Sequence, residues 1–373
     1  MRKSLVVQKL YFNWWRNIDK ILFFTIIIFF SLGLFFSLVS TSLVASDKLN
    51  TNSYLFFFKH TIFISIGLVT IFIISYLDSE KLFLLSKILF LISLISLLLV
   101  PFFGVEVKGS RRWIDILFLP RFQPIELLKP FVIVMIASIL CNESKNAYIK
   151  YFLSLLLITP IIALLISQPD IGQTVLIFFT WLALIFVSGI NIYLFFFLSG
   201  LIVSIILYLI FFVPKFEYIL IRIFAFFDPK TGNNYQSERA SEAIINGGFF
   251  GKGIGEGVLK NKVPEAHTDY IVSVISEEFG AIMIFLILFL FLFFLYHLFK
   301  KLYLIDNGKK KLIIVGLGFI ILFQFLIHVG VNIRMFPTTG MTLPFLSYGG
   351  SSIIGTSIIS GIILNLTKKN HLK

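Results

Sequence analysis

The chain has 373 residues, of which 58% are hydrophobic and only 14% are charged, and its mean hydropathy is +0.97. This composition excludes a soluble globular protein and predicts an integral membrane protein. The formal net charge is +13, but we find no soluble domain on which basic residues could form a nucleic-acid-binding face. A nucleic-acid partner is therefore not expected.

Apolar runs of at least 18 residues recur along the chain, and each can cross the roughly 30 Å of hydrocarbon in a bilayer. Alternating ten-residue strands, the pattern of a membrane barrel, are absent. We predict an all-α, polytopic fold that forms a single transmembrane domain over residues 1–373. The ten predicted spans cover residues 21–45, 55–77, 84–103, 124–141, 149–167, 171–189, 191–213, 270–298, 312–334 and 345–366.

The distribution of Lys and Arg predicts the orientation. If the N-terminus lies in the cytoplasm, the inside segments hold sixteen Lys and Arg residues and the short outside loops hold five. This asymmetry favours cytoplasmic N- and C-termini, as an even number of spans requires. Two outside loops are notable: residues 104–123, which are rich in Arg, and residues 214–268, which form a loop far longer than an ordinary connection.

Two other features of the sequence exclude common chemistries. The glycines of residues 247–257 do not match a phosphate-binding loop, because Gly253 occupies the Ser/Thr position and Glu256 the third glycine of the dinucleotide pattern. These glycines are better explained by a flexible or tightly turning loop. Cys141 is the only cysteine, which excludes an intrachain disulfide and a cysteine-based metal site.

Ionisable residues inside the predicted spans are costly unless they are paired or hydrated. Glu126 and Lys129 lie three residues apart on the fourth predicted span and can pair on one helix face. Such a pair is either a structural ion pair or part of a ligand site, and the residues alone leave both interpretations open.

A second group of polar residues opens the eighth predicted span. At 100° per residue, Asp269, Ser273, Ser276 and Glu277 share one helix face. Asp269 could simply cap the helix, but a polar stripe with Glu277 below it is also expected to line a hydrated cavity. Physical reasoning thus predicts an outward-facing polar cavity walled by the fourth, eighth and ninth spans. It leaves a transporter and an enzyme acting on a lipid-linked substrate as alternatives.

Six ordered motifs resemble the SEDS family, which comprises the FtsW and RodA proteins. They read GSRRWI at 109–114, QPIELLK at 123–129, QPDIGQT at 168–174, NGGFFGKG at 246–253, PEAHTDYI with SEEFG at 264–280, and PTTGMTLPFLSYGGSS at 337–352. Ile125 stands where the family usually has Ser, and Tyr270 where it usually has Phe. Neither departure removes a charged group. Within the family, the last two motifs are closer to the division member than to the elongation member.

The resemblance implies the SEDS fold and a peptidoglycan glycosyltransferase that polymerises lipid II at the outer face of the inner membrane. Asp269 matches the family's essential acid and is expected to take the proton from the attacking hydroxyl, either directly or through a metal ion. A divalent cation is thus the one cofactor that the resemblance leaves open.

Other residues of the same motifs are expected to bind the substrate. Cations should hold the charge that develops on the pyrophosphate, and aromatic faces should contact sugar or isoprenoid. Glu126 should orient Lys129, and Glu277 should keep the cavity hydrated. The complete set of predicted substrate-binding residues is Arg111, Arg112, Trp113, Glu126, Lys129, His267, Thr268, Tyr270 and Glu277.

The resemblance also implies partners and a location. A class B penicillin-binding protein should supply transpeptidation, other division proteins should join it, and the site of action should be the division septum in the inner membrane. Two alternatives are a polymerase of cell elongation and a lipid II flippase. A flippase needs a polar path through the whole bilayer, whereas the polar residues here lie near the outer ends of the predicted spans, which favours the enzyme.

The charge asymmetry makes the predicted orientation testable. A reporter that is active only outside the cytoplasm should be active when fused after residue 230, and it should be silent when fused after residue 305. The measurement is reporter activity in intact cells at matched expression. The reverse pattern would show that the predicted orientation is wrong.

Overall fold

Helices form most of the chain. The computed structural model describes residues 14–41, 54–107, 109–116, 119–227, 235–259 and 263–368. Two short 3-10 helices lie at Pro214–Phe216 and Lys301–Leu304. The α-helices are α1 (Lys20–Thr41), α2 (Leu55–Tyr76), α3 (Ser79–Phe103), α4 (Pro124–Leu140), α5 (Ala147–Ser167), α6 (Ile171–Val187), α7 (Ile192–Phe212), α8 (Glu217–Phe227), α9 (Tyr235–Gly247), α10 (Ile271–Lys300), α11 (Gly308–Asn332) and α12 (Gly350–Leu366).

Each of the ten predicted spans overlaps one of these helices, with residues 42–45 of the first span lying outside the described residues, and α8 and α9 lie in the long predicted loop. Among the residues that the structure describes, seven helices are long and apolar enough to cross a membrane, namely α1, α2, α3, α5, α7, α10 and α11. The remaining three, α4, α6 and α12, have 17 residues each, or about 26 Å at 1.5 Å per residue. The protein is therefore a multi-pass membrane protein, and the count of ten spans stays a prediction.

A three-stranded antiparallel sheet departs from the all-α prediction. Its strands are β1 (Gly104–Val107), β2 (Ser110–Ile116) and β3 (Leu119–Phe122), in the order β1-β2-β3. Gly109 has a φ of 76° in the turn between β1 and β2, a conformation that glycine adopts without strain. The sheet lies in the first predicted outside loop and carries its arginines, so its backbone pairing decides which of them point inward.

Helix α12 forms the centre of the helix bundle and is buried along nearly its whole length. Small residues permit this close packing: Ser357 lies against Gly67 of α2, and Gly355 lies against the main chain of Glu126 in α4. The hydroxyls of Thr356 and Ser360 donate to carbonyls four residues earlier. Because these hydroxyls are satisfied within the helix, α12 can be surrounded by apolar neighbours.

Helix α10 is broken by Gly280, whose φ of 76° and ψ of −179° are not helical. The glycine-rich segment 247–253 enters this break. The amides of Lys252 and Gly253 donate to carbonyls before the break, and the amides of Ala281 and Ile282 donate to carbonyls of the glycine segment. Gly248, Gly251 and Gly253 have positive φ values, which agrees with a tightly turning loop, and this segment attaches the long predicted loop to α10.

Polar contacts also join helix ends at the opposite side of the bundle. Asp19, just before α1, accepts a charged hydrogen bond from Lys301 at 2.5 Å and contacts His297 at 3.2 Å. Asn365 near the end of α12 donates to the main-chain carbonyl of Leu77 at 2.6 Å. The starts of α1 and α3 and the ends of α10 and α12 therefore lie on one side, which agrees with successive spans of alternating direction.

The break in α10 should make Gly280 sensitive to substitution. Gly280→Ala places a Cβ against the carbonyl of Phe249 and forces a backbone conformation that costs about 1–3 kcal/mol outside glycine. We expect a lower midpoint of thermal unfolding in detergent. The matched control is Gly308→Ala, because no atom lies within 4 Å of the point that its Cβ would occupy. Equal midpoints for the two variants would contradict this interpretation.

Candidate active site

A cavity of about 890 Å³ lies where α2, the sheet, α8 and the start of α10 meet the segment 338–352. Its wall is polar on the side of the sheet and α10, and along α2 it is apolar except for Lys59. The residues that line it include Lys59, Ile62, Phe63, Ile66, Ser110, Arg112, Trp113, Arg121, Gln123, Glu126, Arg222, Glu265, Thr268, Asp269, Tyr270, Thr339, Gly340, Thr342, Ser351 and Ser352.

Asp269 lies immediately before α10, where Tyr270 occupies the N-cap position. Its main-chain carbonyl accepts a hydrogen bond from the buried side chain of Asn332 at 3.1 Å. The carbonyl of the preceding Thr268 accepts one from Ser347 at 2.7 Å. The backbone on both sides of the carboxylate is therefore held by α11 and by the segment before α12, independently of the carboxylate itself.

The Asp269 carboxylate shares its corner of the cavity with Arg112. Asp269 Oδ2 and Arg112 Nη1 lie 3.6 and 3.8 Å from the point that a Cβ of Gly340 would occupy. Gly340 has a φ of 70°. A side chain at this position would fill the space between the acid and the guanidinium. Glycine keeps that space open to a substrate.

Arg112 is oriented by the turn between α5 and α6. Its Nε donates to the carbonyl of Gln168 at 3.2 Å, and its Nη2 donates to the carbonyl of Pro169. Its Nη1 lies 3.6 Å from Asp170. The Asp170 side chain also accepts from the backbone amide of Gln173 and so caps the start of α6. Arg112 is thus fixed before any substrate enters, which is a requirement for electrostatic catalysis.

Glu126 and Lys129 form the predicted ion pair, with 2.8 Å between Glu126 Oε2 and Lys129 Nζ. Gln173 donates to the other carboxylate oxygen of Glu126, and Lys129 donates to Gln324 at 3.0 Å. Gln324 in turn donates to the carbonyl of Thr342. Lys129 is 1% exposed and is not among the lining residues. It compensates the buried charge of Glu126, and a diphosphate in the cavity would not contact it directly.

The structure places three other predicted residues beside the cavity and three away from it. Trp113, Thr268 and Tyr270 line the cavity. Arg111 is exposed and pairs with Glu106 at 3.4 Å, because neighbouring residues of a strand point to opposite faces. His267 packs its ring against Phe56.

Glu277 is the third predicted residue that does not line the cavity. Its carboxylate accepts from the side chain of Asn246 at 3.0 Å and from the amide of Leu259 at 2.8 Å. Glu278 accepts from the amide of Gly255 at 3.0 Å. The structure therefore differs from the expected polar stripe: both carboxylates hold the glycine-rich loop, and Glu277 is not positioned to hydrate the cavity.

Several polar residues that line the cavity are absent from the predicted set of substrate-binding residues. The positively charged residues among them are Lys59 on α2, Arg121 on β3 and Arg222 on α8. Arg222 lies four residues after Tyr218 on a short helix within the long predicted loop. That spacing places the side chains of Tyr218 and Arg222 on one helix face. It is the sequence signal that could have indicated Arg222.

A bound metal ion finds little support in the donor set. Among the residues that the structure describes, no group of three or more His, Cys, Asp and Glu side chains is arranged to hold a metal ion. Asp269 also shares its corner with a guanidinium, whose charge opposes that of a cation. The residues that surround Asp269 do not form a metal site by themselves.

The buried pair gives a stability prediction. Lys129→Met leaves the Glu126 carboxylate buried and uncompensated, which should cost about 3–5 kcal/mol in the free energy of unfolding. Adding Glu126→Gln should restore part of this loss. The control is Lys81→Met, whose exposed pair with Asp78 should contribute at most about 1 kcal/mol. Thermal unfolding in detergent measures all three, and equal stability of the two Lys variants would contradict a structural role for the pair.

Comparisons with known proteins agree with this architecture. The model of the FtsW/RodA/SpoVE family, described as "Cell cycle protein", matches residues 19–372. The chain is 35% identical over 278 residues to a protein of Caulobacter vibrioides named "Probable peptidoglycan glycosyltransferase FtsW", with 72% of this chain and 68% of that protein covered. A Haemophilus influenzae protein of the same name is 31% identical over 382 residues, covering 98% and 96%.

One solved structure is similar over nearly the whole length. It is described as "Structural coordination of polymerization and crosslinking by a peptidoglycan synthase complex", with a TM-score of 0.75, 27% identity and coverage of 94% of this chain and 97% of that one. The family model spans almost the entire sequence, and the fold similarity extends over nearly all of the chain. The chain therefore belongs to the FtsW/RodA/SpoVE family of cell cycle proteins.

Proposed function

We propose that the protein is a peptidoglycan glycosyltransferase and that the cavity around Asp269 is where it polymerises lipid II. One observation carries this proposal: the Asp269 carboxylate and the Arg112 guanidinium converge on one corner of a large cavity, across the open space at Gly340. Glycosyl transfer to a hydroxyl needs an acceptor for the proton and a cation for the leaving group. The Caulobacter and Haemophilus relatives carry the name of this activity.

The reaction transfers a sugar from one lipid II to the sugar hydroxyl of another. The 4-hydroxyl oxygen forms a bond to the anomeric carbon, and the bond from that carbon to the diphosphate breaks. The proton of the hydroxyl passes to Asp269, and the bonding electron pair leaves with undecaprenyl pyrophosphate. Arg112 stabilises the added negative charge, since it is already oriented by the 168–170 turn.

The apolar side of the cavity suits a lipid-linked substrate. Ile62, Phe63 and Ile66 of α2 line it, and Ile62 and Ile66 are also exposed on the outer surface of the bundle. A substrate can therefore present its disaccharide to the polar wall while its isoprenoid chain stays in the bilayer. We place this opening at the outer leaflet, because the charge asymmetry predicts cytoplasmic termini and therefore an outside position for the sheet, α8 and α9.

A lipid II flippase is the competing function, and the interior below the cavity argues against it. The region between α4, α6, α11 and α12 is filled with fully buried aliphatic side chains, such as Ile133, Leu184, Ile320 and Ile362. Moving a charged diphosphate through this packing would require its desolvation without a polar partner. A polymerase, in contrast, needs a polar site at one face of the membrane and no polar path through it.

A division role and a partner enzyme complete the proposal. The Caulobacter and Haemophilus relatives are named FtsW, which supports septal rather than lateral synthesis and a location in the inner membrane at the septum. The similar structure comes from a "peptidoglycan synthase complex". We therefore expect a class B penicillin-binding protein to crosslink the glycan strands that this protein makes, together with other division proteins.

The proton acceptor gives the sharpest test. Asp269→Asn keeps the size of the side chain and leaves the carbonyl that accepts from Asn332 in place. The variant should therefore fold with a loss below about 1 kcal/mol. It should lose polymerisation about 10²–10⁴-fold, because an amide cannot accept the proton. The assay follows labelled lipid II into glycan in the presence of moenomycin, with the cognate penicillin-binding protein added.

The matched control for this test is Asp306→Asn, which changes an exposed carboxylate before α11, at the opposite end of the bundle. It should retain wild-type activity. Residual activity of Asp269→Asn within tenfold of the control would remove Asp269 from the catalytic role. Loss of folded protein would instead assign the carboxylate a structural role.

A further inference from the structure

Arg222 is a half-buried cation on the wall of the cavity. It lies on α8, a helix of eleven residues within the long predicted outside loop. Its guanidinium packs over the ring of Tyr218, 6.0 Å from the ring centroid. Within the part of the chain that the structure describes, no carboxylate pairs with it and no hydrogen bond from it is formed. A cation that is partly removed from water without a counter-charge favours an anionic ligand.

One turn of the chain positions both Arg222 and Arg112. The hydroxyl of Tyr218 donates to the carbonyl of Ile166 at 2.8 Å, which attaches α8 to the end of α5. The carbonyls of Gln168 and Pro169, shortly after it, accept from Arg112. Residues 166–170 thus hold the stacking partner of one guanidinium and the hydrogen-bond acceptors of the other.

The two guanidinium groups repel each other across the cavity. Burial lowers the pKa of Arg222 below its usual value, and the nearby charge of Arg112 lowers it further. Asp170 pairs with Arg112, whereas no carboxylate pairs with Arg222 among the residues that the structure describes. Keeping two like charges together costs free energy, which an anion bound between them would recover.

The donors of the two arginines are used differently. Arg112 uses its Nε and Nη2 to bind main-chain carbonyls and faces Asp170 with Nη1. Among the described residues, none accepts a hydrogen bond from Arg222, so all its N–H groups are available to a ligand. A planar guanidinium with free donors can bind two phosphate oxygens at once, which a lysine ammonium cannot do in the same geometry.

We infer that Arg222 is a catalytic residue that binds the diphosphate of the glycosyl donor and stabilises it as the leaving group. This inference rests on the proposed glycosyltransferase function. When the bond between the anomeric carbon and the diphosphate breaks, the electron pair stays on the diphosphate and adds one negative charge. Arg222 contacts the group on which that charge develops, so its contribution is larger in the transition state than in the ground state.

The test compares Arg222→Gln with Arg239→Gln. Arg239 is a matched control, since it also packs over a tyrosine four residues earlier, but it pairs with Glu242 and does not line the cavity. Purified variants with the cognate penicillin-binding protein are assayed on labelled lipid II in nanodiscs. We expect kcat to fall about 100-fold for Arg222→Gln, with a smaller change in KM, and no change for Arg239→Gln. Arg222→Lys should retain an intermediate rate.

Binding of the leaving group supplies a readout besides turnover. Added undecaprenyl pyrophosphate should inhibit the wild type and Arg239→Gln more strongly than Arg222→Gln. Inhibition by undecaprenyl phosphate should differ less between these proteins, because this lipid carries one phosphate fewer. Equal inhibition and equal kcat in the two variants would overturn the inference, provided that the wild type makes glycan. A wild type without activity would instead contradict the proposed function.

A phospholipid headgroup is the other source of phosphate at this surface. The same assays in nanodiscs of phosphatidylcholine, with and without phosphatidylglycerol, distinguish it from the donor. A defect of Arg222→Gln that is equal in both membranes supports the diphosphate of the donor. A defect that is seen in the anionic membrane alone would overturn the inference, because Arg222 would then bind membrane lipid.

Discussion

The cost of burying charge determines how the half of this protein that holds the cavity is built. Glu126 and Lys129 are almost completely buried, and each has its partner within 2.8 Å. Their hydrogen bonds continue to Gln173 on α6 and Gln324 on α11. Since an unpaired charge here would cost several kcal/mol, the helices that carry these groups must stay in register. The pair thereby aligns α4, α6 and α11 beneath the cavity.

The proposed catalytic acid depends on a second set of restraints from outside its own helix. The backbone around Asp269 is held by Asn332 and Ser347. The short helical segment after it is held by the glycine-rich loop, which enters the break at Gly280. Positioning by several separate elements keeps a catalytic group within the small tolerance that proton transfer requires. It also explains why two buried glutamates in α10 contact a loop instead of the cavity.

The cavity offers two environments to a substrate, one polar and one apolar. Its polar wall can hold a charged diphosphate and sugar hydroxyls, while the α2 side remains continuous with lipid-facing surface. A substrate with an ionic head and an isoprenoid chain fits such a boundary without leaving the membrane. Two cations of this wall, Arg112 and Arg222, come from a sheet and a short helix outside the predicted spans. Charged groups are cheaper to hold outside a span than within one.

Hydropathy alone was sufficient to predict the ten apolar helices, because a bilayer demands apolar helices wherever the chain crosses it, but it did not predict α8 and α9. The motifs were sufficient to indicate the family and to single out Asp269 as the candidate catalytic acid. The sheet was not predicted, since short strands in a loop carry a weak pattern, and the alternation of side chains along β2 places Arg111 and Arg112 on opposite faces. Only the tertiary structure could place Lys129 and Glu277 away from the cavity and Arg222 within it. Those assignments depend on contacts between residues far apart in the chain, whose hydrogen-bond partners a helical period does not specify.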